Sequence, residues 1–288
     1  MRVLITGVRG KTGSALADRL APRDDAELWG GSSDPALVRD GRIVPVELSW
    51  DRPDAWPRAN QGVDAVFVVV PLREDAPALV ASYVATTSPS THVVLLSERD
   101  PEQSGAHGWS ATVERAVRES GRSWTILRPG WFMQVLTDTR FFGDQIADGA
   151  FTFPHADAPL AWIDTRDIAE VAELALTDRR HAGQTYELSG PEALLPDRTA
   201  ALLSVALGRT VRHIALDMEE ALDGLTGFER DLTEVTFERV RAGDFAVVTD
   251  AFRRLTGRPA RSLEQFITDA AAAGAWPGTS PGDDDGAR

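Results

Sequence analysis

The chain has 288 residues, 43% of them hydrophobic and 26% charged, with a formal net charge of −14 and no cysteine. That composition excludes global disorder and disfavours nucleic acid and anionic membrane surfaces as partners. It also removes disulfides, thiol nucleophiles, iron–sulfur clusters and cysteine-ligated zinc.

The opening Met1-Arg2-Val3-Leu4-Ile5-Thr6-Gly7 reads as a strand running into a glycine turn, without the apolar core of a signal peptide. No apolar run approaches the ~20 residues of a membrane span, so a cytoplasmic protein is expected. Apolar, β-branched runs follow at 3–6, 27–31, 43–48, 65–70, 92–96 and 124–127. They alternate with segments at 14–20, 76–86 and 111–120 whose apolar spacing is about 3.6. Continuous apolar strands between helices predict an α/β fold, a Rossmann-type doubly wound parallel sheet. A helix at 167–176 and one more strand at 184–188 follow, closed by Ser189-Gly190-Pro191. Beyond residue 191 the alternation fades, and 200–207, 218–225, 245–256 and 262–273 read as helices, the last capped by Ser262. The expected division is a nucleotide-binding domain over 1–190, with 129–162 contributing to a substrate cleft. A smaller, mostly helical C-terminal substrate lobe over 191–276 and a disordered Gly/Pro/Asp-rich tail over 277–288 complete it.

Between the first strand and the first helix lie Gly7, Gly10 and Gly13, spaced G-x-x-G-x-x-G rather than G-x-G-x-x-G. Such a loop gives a tight turn and a close backbone approach to a pyrophosphate, at a helix N-terminus carrying partial positive charge. The second strand ends in Ser32 and Ser33, with Asp34 late for a ribose-binding acid. Arg9 and Lys11, the only lysine of the chain, put two cations in the loop. Cations and hydroxyls suit a 2′-phosphate, so NADP (NADPH) is favoured over NAD.

Residues 6–13, 66–71, 93–97, 162–169 and 186–191, with Thr125-Ile126-Leu127-Arg128-Pro129-Gly130-Trp131-Phe132, resemble the NmrA-like atypical short-chain dehydrogenase/reductases. The resemblance runs from Met1 to about Trp276. Ser49-Trp50-Asp51 with Trp56, and Thr249-Asp250 with Thr256-Gly257-Arg258, are similar to the branch containing festuclavine dehydrogenases of ergot alkaloid biosynthesis, which reduce an iminium with NADPH. The resemblance implies cofactor contacts at Gly7, Arg9, Gly10, Lys11, Thr12 and Gly13. It implies that Ser32 and Ser33 lie near the adenosine 2′ position, where family members commonly carry arginine in place of Ser33. Ser49 and Trp50 would lie near adenine, and Val70, Pro71 and Leu72 near the ribose. Leu96, Ser97, Pro129, Gly130 and Trp131 would flank the nicotinamide.

The wider superfamily uses a Tyr-x-x-x-Lys pair for proton donation. Neither Tyr83 nor Tyr186 has a lysine four residues on; Ser110 aligns with the tyrosine and Glu114 with the lysine. Three chemistries survive. Hydride can pass to an electrophile already activated, such as an imine, iminium or quinone. A carbonyl or enone can be reduced with His107 as the acid, since a histidine titrates near neutrality. Or there is no turnover, as in cofactor-sensing regulators that bind partner proteins.

His107, Ser97 and Ser110 are therefore the catalytic candidates. Trp109, Trp131, Phe132, Met133, His155 and Trp162 are the substrate-binding ones, suited to a bulky aromatic ligand. Plainer readings stand beside these: His107 and His155 as solvated residues, Ser97 as a turn residue, most tryptophans as core. Trp29 and Trp124 read as core, Glu98 as exposed, and His92, His181 and His213 as structural. No metal site is expected.

The leading expectation is an NADPH-dependent reductase of a bulky, largely apolar small molecule in secondary metabolism, such as antibiotic biosynthesis. The alternatives are a non-catalytic NAD(P)-binding regulator or scaffold, and a cyclase or isomerase on the reductase fold. A homodimer is left open.

Overall fold

The computed structural model describes residues 1–103, 108–155 and 157–277. Seven parallel strands form the main sheet: β1 (Arg2–Ile5), β2 (Glu27–Ser32), β3 (Ile43–Glu47), β4 (Ala65–Val69), β5 (His92–Leu96), β6 (Ser123–Pro129) and β8 (Gln184–Leu188). Their order is β3-β2-β1-β4-β5-β6-β8, a Rossmann-type arrangement whose direction of winding reverses between β1 and β4. The register sets Leu4 of β1 against Trp29 on one side and Val66 on the other. Ile5, Phe67, Val94 and Leu127 point to one face and pack against α1 (Lys11–Leu20) and α6 (Thr165–Thr177). Leu4, Val66, Val93 and Ile126 point to the other face and meet α3 (Ala76–Ala85), α4 (Trp109–Glu119) and the short α2 (Trp56–Ala59). Burial on both faces is why these strands read as unbroken apolar runs.

A third apolar core belongs to the segments beyond Pro129. Two strands, β7 (Ala150–Pro154) and β9 (Arg212–Leu216), pair in parallel with Thr152 opposite Ile214. Around them lie α5 (Gly143–Ala147), α7 (Pro196–Leu207), α8 (Met218–Ala221), α9 (Gly227–Ala242) and α11 (Leu263–Ala272), whereas α10 (Ala251–Thr256) packs on the main sheet against α6 and β8. Ser262 caps α11 as expected, in a reciprocal box with Gln265.

The structure departs from expectation here in several ways. The helix expected over 218–225 closes after Ala221, and the one expected over 245–256 is a single turn at Asp244–Ala246 followed by α10. The 16-residue α9 and the small β7–β9 sheet were not expected. Met133 and Trp162 are 0% and 1% exposed and belong to this third core, beside Phe151, Phe153 and Leu203. They offer no surface to a ligand, which corrects their assignment to substrate binding. Trp29 and Trp124 are only half-buried, each with an arginine over its ring, Arg2 at 4.1 Å and Arg118 at 5.3 Å. Among the described residues no helix is long and apolar enough to cross a membrane.

His92 shows how tightly the sheet constrains a polar side chain. It is fully buried, with Nδ1 2.8 Å from Ser123 Oγ and Nε2 3.1 Å from Thr125 Oγ1. Thr125 gives its proton to the His181 carbonyl at 2.7 Å, so Nε2–H donates to Thr125 and Nδ1 accepts from Ser123. Burial pushes the imidazole pKa from 6.5 down to about 4, and the ring stays neutral. An unfolded chain takes up a proton that the native ring refuses, so stability is present above pH 6.5 and is lost as pH falls towards about 4. The loss is up to about 3 kcal/mol. His92→Asn is expected to flatten this part of the pH dependence in urea unfolding; parallel losses in both proteins would remove His92 as its source.

Candidate active site

The first turn of α1 is the anchor of the site. Gly10 is its N-cap, no side chain caps it, and no acid lies in its first turn. Its partial positive charge is therefore free to meet an anion. A Cβ on Gly13 would lie 2.0 Å from the Gly7 carbonyl oxygen, so helix and loop can pack together only with glycine there. A Cβ on Gly10 would meet only the same oxygen at 3.3 Å, which leaves that side of the loop bare. Thr6 Oγ1 accepts the Val69 N–H at 2.9 Å and ties the ends of β1 and β4 beneath the loop.

A cleft of about 450 Å³ opens over this turn. Gly7, Arg9 and Gly10 line it from the loop, Ser32 and Ser33 from the end of β2, Ser49 and Trp50 from beyond β3, and Pro71 from beyond β4. Trp50 is held edge-on to Trp56 and Tyr83, at ring separations of 5.8 and 5.4 Å. Asp51 and Arg73 also line the cleft and pair at 2.5 Å; Asp51 stood in the Ser49-Trp50-Asp51 motif without an assigned role, and Arg73 carried no sequence signal. Val70 is half-buried and Leu72 is 68% exposed, and neither lines this cleft. Thr12 is buried within α1.

The two loop cations separate. Arg9 Nη1 lies 3.5 Å from Ser32 Oγ, at the end of the cleft where a 2′-phosphate was expected. Lys11 turns the other way. Its Nζ donates to Asp138 Oδ2 and sits 4.8 Å from the centre of the Phe141 ring. Arg140 and Lys11 together hold the Asp138 carboxyl well below the usual range. Lys11 is thus committed to the segment after Leu136, which corrects its reading as a cation for the 2′ position.

Beyond the strand ends, two hydroxyls meet two carboxylates. Ser97 Oγ donates to Glu114 Oε1 at 2.7 Å. Glu114 is fully buried, and Arg128 binds both of its oxygens at 2.8 and 2.7 Å, with Arg118 at 2.8 Å. Glu114 therefore anchors Arg128 instead of doing the lysine's work. Ser110 Oγ donates to Glu98 Oε1, and Glu98 Oε2 accepts from Arg239 Nη1 at 3.0 Å. Arg239, 4% exposed, also donates to the Arg99 carbonyl. Glu98, expected in solvent, is in this network. Arg239 escaped notice because its helix did.

Leu96 and Pro129 are buried, and Gly130 N–H donates to the Leu188 carbonyl at 3.0 Å. Trp131 is half-buried, edge-on to Phe153 at 5.4 Å and stacked on Phe237 at 6.2 Å. Phe132 and Trp109 are also half-buried, and Trp109 lies 5.7 Å from Phe228. His155 adopts a left-handed backbone, φ 62°. His107 lies outside the described residues.

The sequence matches the NmrA-like family over residues 54–267, and the chain belongs to that family. It is 36% identical over 287 residues to the NAD(P)H azoreductase of Xenophilus azovorans, covering 94% of this chain and 98% of that one. It is 34% identical over 282 residues to a (4-alkanoyl-5-oxo-2,5-dihydrofuran-3-yl)methyl phosphate reductase of Streptomyces griseus, with 94% and 98% covered. The clavine branch is represented by agroclavine dehydrogenase of Claviceps fusiformis, 28% identical over 286 residues, with 93% and 97% covered. Among solved structures, Citrobacter sp. triphenylmethane reductase in complex with NADP(H) shares the fold, with TM-score 0.79, 18% identity, and 94% and 100% of the two chains covered.

If Glu114 is structural, removing its main partner must cost stability. Arg128→Met leaves a buried carboxylate poorly paired and is expected to lower unfolding stability by about 3–5 kcal/mol. A loss under about 1 kcal/mol in urea unfolding would contradict that role.

Proposed function

We propose that the protein is an NAD(P)H-dependent reductase, NADPH preferred, acting on a bulky and largely apolar small molecule with an already activated acceptor: an imine or iminium, a quinone or an enone. One observation carries this. An uncapped, glycine-packed helix N-terminus opens into a nucleotide-sized cleft, while the positions of the usual Tyr–Lys pair hold Ser110 and Glu114.

The residues fit the cofactor. Backbone N–H groups at the start of α1 would hold the pyrophosphate, and bare Gly10 lets it approach. Arg9 with Ser32 and Ser33 would take the 2′-phosphate, and Ser49 and Trp50 the adenine. Leu96, Ser97, Pro129, Gly130 and Trp131 would flank the nicotinamide, beyond the carboxyl ends of β5 and β6. The bound dinucleotide supplies the hydride. The chain supplies position and an aromatic wall that excludes water. Ser97 and Ser110 spend their protons on Glu114 and Glu98, so they suit an acceptor that needs no proton from them. An iminium or quinone meets that condition; an enone needs another acid, for which His107 stands. The NAD(P)H azoreductase and clavine dehydrogenase relatives support a reductase, and with the furanone phosphate reductase they support a setting in secondary metabolism.

The test is NADPH consumption against a panel of azo dyes, quinones and cyclic imines. Oxidation with none of them would remove the reductase reading and leave a cofactor-binding regulator or a cyclase. Gly10→Asp is expected to abolish NADPH binding with little change in melting temperature, since a Cβ there meets only one backbone oxygen, at 3.3 Å, and aspartate is a favoured helix N-cap. Arg9→Ala is expected to weaken NADPH relative to NADH about tenfold, the worth of one charge-assisted hydrogen bond. Lys11→Ala is expected to affect the two nucleotides alike. Titrations followed by NADPH and NADH fluorescence check both; the reverse pattern would reassign the 2′ cation.

A further inference from the structure

Two loops share in lining the nucleotide cleft: Ser49, Trp50 and Asp51 beyond β3, Pro71 and Arg73 beyond β4. Arg73 joins them, since its Nη1 donates to Asp51 Oδ1 at 2.5 Å. On its own loop Nε and Nη2 donate to Asp75 at 2.5 and 3.0 Å. The guanidinium is therefore held from two sides, and one positive charge is met by two carboxylates. A cation matched in this way has little left for a third anion. What it still offers is the flat face of a delocalised ion, which stacks on aromatic rings. Arg9 of the same cleft is the opposite case, its Nη1 bonded to the neutral hydroxyl of Ser32 at 3.5 Å. The cleft thus carries one cation with charge to spare and one with only a plane to spare. A nucleotide has a part for each, an anionic phosphate and a neutral, flat base. Trp50 is a second flat surface in the cleft, fixed by its edge contacts with Trp56 and Tyr83. The main chain of Arg73 is held as well. Its carbonyl accepts from Trp109 Nε1 at 3.0 Å and from the Ala76 N–H at 3.1 Å. Trp109 opens α4, next to Ser110, and its ring lies 5.7 Å from Phe228 of α9. Its indole N–H is committed to the loop that carries Arg73.

We propose that Arg73 is a cofactor-binding residue whose guanidinium lies flat on the adenine base, and that the Asp51–Arg73 pair is a clasp joining the two loops over it. Trp109 is the positioning residue that holds the clasp from the α4 end. This rests on the dinucleotide-binding part of the reductase reading and gives that same site two further residues.

The probe is 2′,5′-ADP, which carries the base and the 2′-phosphate without the nicotinamide, titrated by calorimetry into the full chain at low and high salt. Arg73→Ala is expected to weaken it about tenfold at both, the worth of one cation–π stack. Arg9→Ala is expected to lose less at high salt, because screening already weakens a phosphate contact there. Arg73→Lys keeps the charge without the plane and is expected to recover little of the loss. The losses of Asp51→Asn and Arg73→Ala are expected to be less than multiplicative in the double variant. Trp109→Phe keeps a ring against Phe228 and is expected to weaken 2′,5′-ADP about threefold with an unchanged melting temperature. Full rescue by lysine, or a loss at Arg73 that fades with salt as at Arg9, would make Arg73 a phosphate cation and overturn the stack. Independent losses at Asp51 and Arg73 would overturn the clasp, and unchanged affinity in Trp109→Phe would overturn its positioning role. If the wild type binds neither 2′,5′-ADP nor NADPH, the dinucleotide reading fails and the clasp with it. Wild-type binding that Arg73→Ala leaves unchanged overturns the clasp alone.

Discussion

The approach of Gly13 to the Gly7 carbonyl is the contact on which the rest of the site depends. It leaves no room for a side chain, so the first turn of α1 presses directly on the loop leaving β1. That closeness carries the positive end of the helix to the carboxyl edge of the sheet, next to the point where the winding reverses. Everything else in the cleft is placed relative to that helix end: Arg9 and the β2 serines to one side, Lys11 and its Asp138 partner to the other.

The second organising feature is how charge is satisfied. Glu114 and Glu98 each hold a serine proton and each faces an arginine that is buried or nearly so. Removing Arg128 would take the bidentate partner from a fully buried carboxylate and leave it to Arg118 and Ser97. The same arrangement leaves the serines as poor acids. In the proposed reductase, Ser110 and Glu114 would be held in these ion-pair networks and the demand for a proton would pass to the substrate.

The sheet was legible because its strands are buried on both faces and read as apolar runs; 92–96 and 184–188 coincide with β5 and β8. The glycine loop was legible because spacing and place in the chain agree. α9 was not, and the reason is physical. Its apolar residues serve two surfaces, Phe237 and Val240 on one side, Phe228, Leu232 and Val235 on another, so no single stripe emerges. The break at 247–250 interrupts what looks like one helix, where β-branched Val247 and Val248 precede the N-cap Asp250. β7 ends in Pro154, a position where a two-stranded ribbon tolerates proline. The pairings of Lys11 with Asp138 and of Glu98 with Arg239 were invisible because their members lie more than a hundred residues apart in sequence.

The central claim is that an anionic dinucleotide settles on the bare first turn of α1. The most direct measurement is a crystal structure grown with saturating NADPH. The account requires the pyrophosphate oxygens within hydrogen-bond reach of the backbone N–H groups opening α1, with the adenosine running towards Ser32. A vacant loop, or a nucleotide bound elsewhere on the molecule, would contradict it.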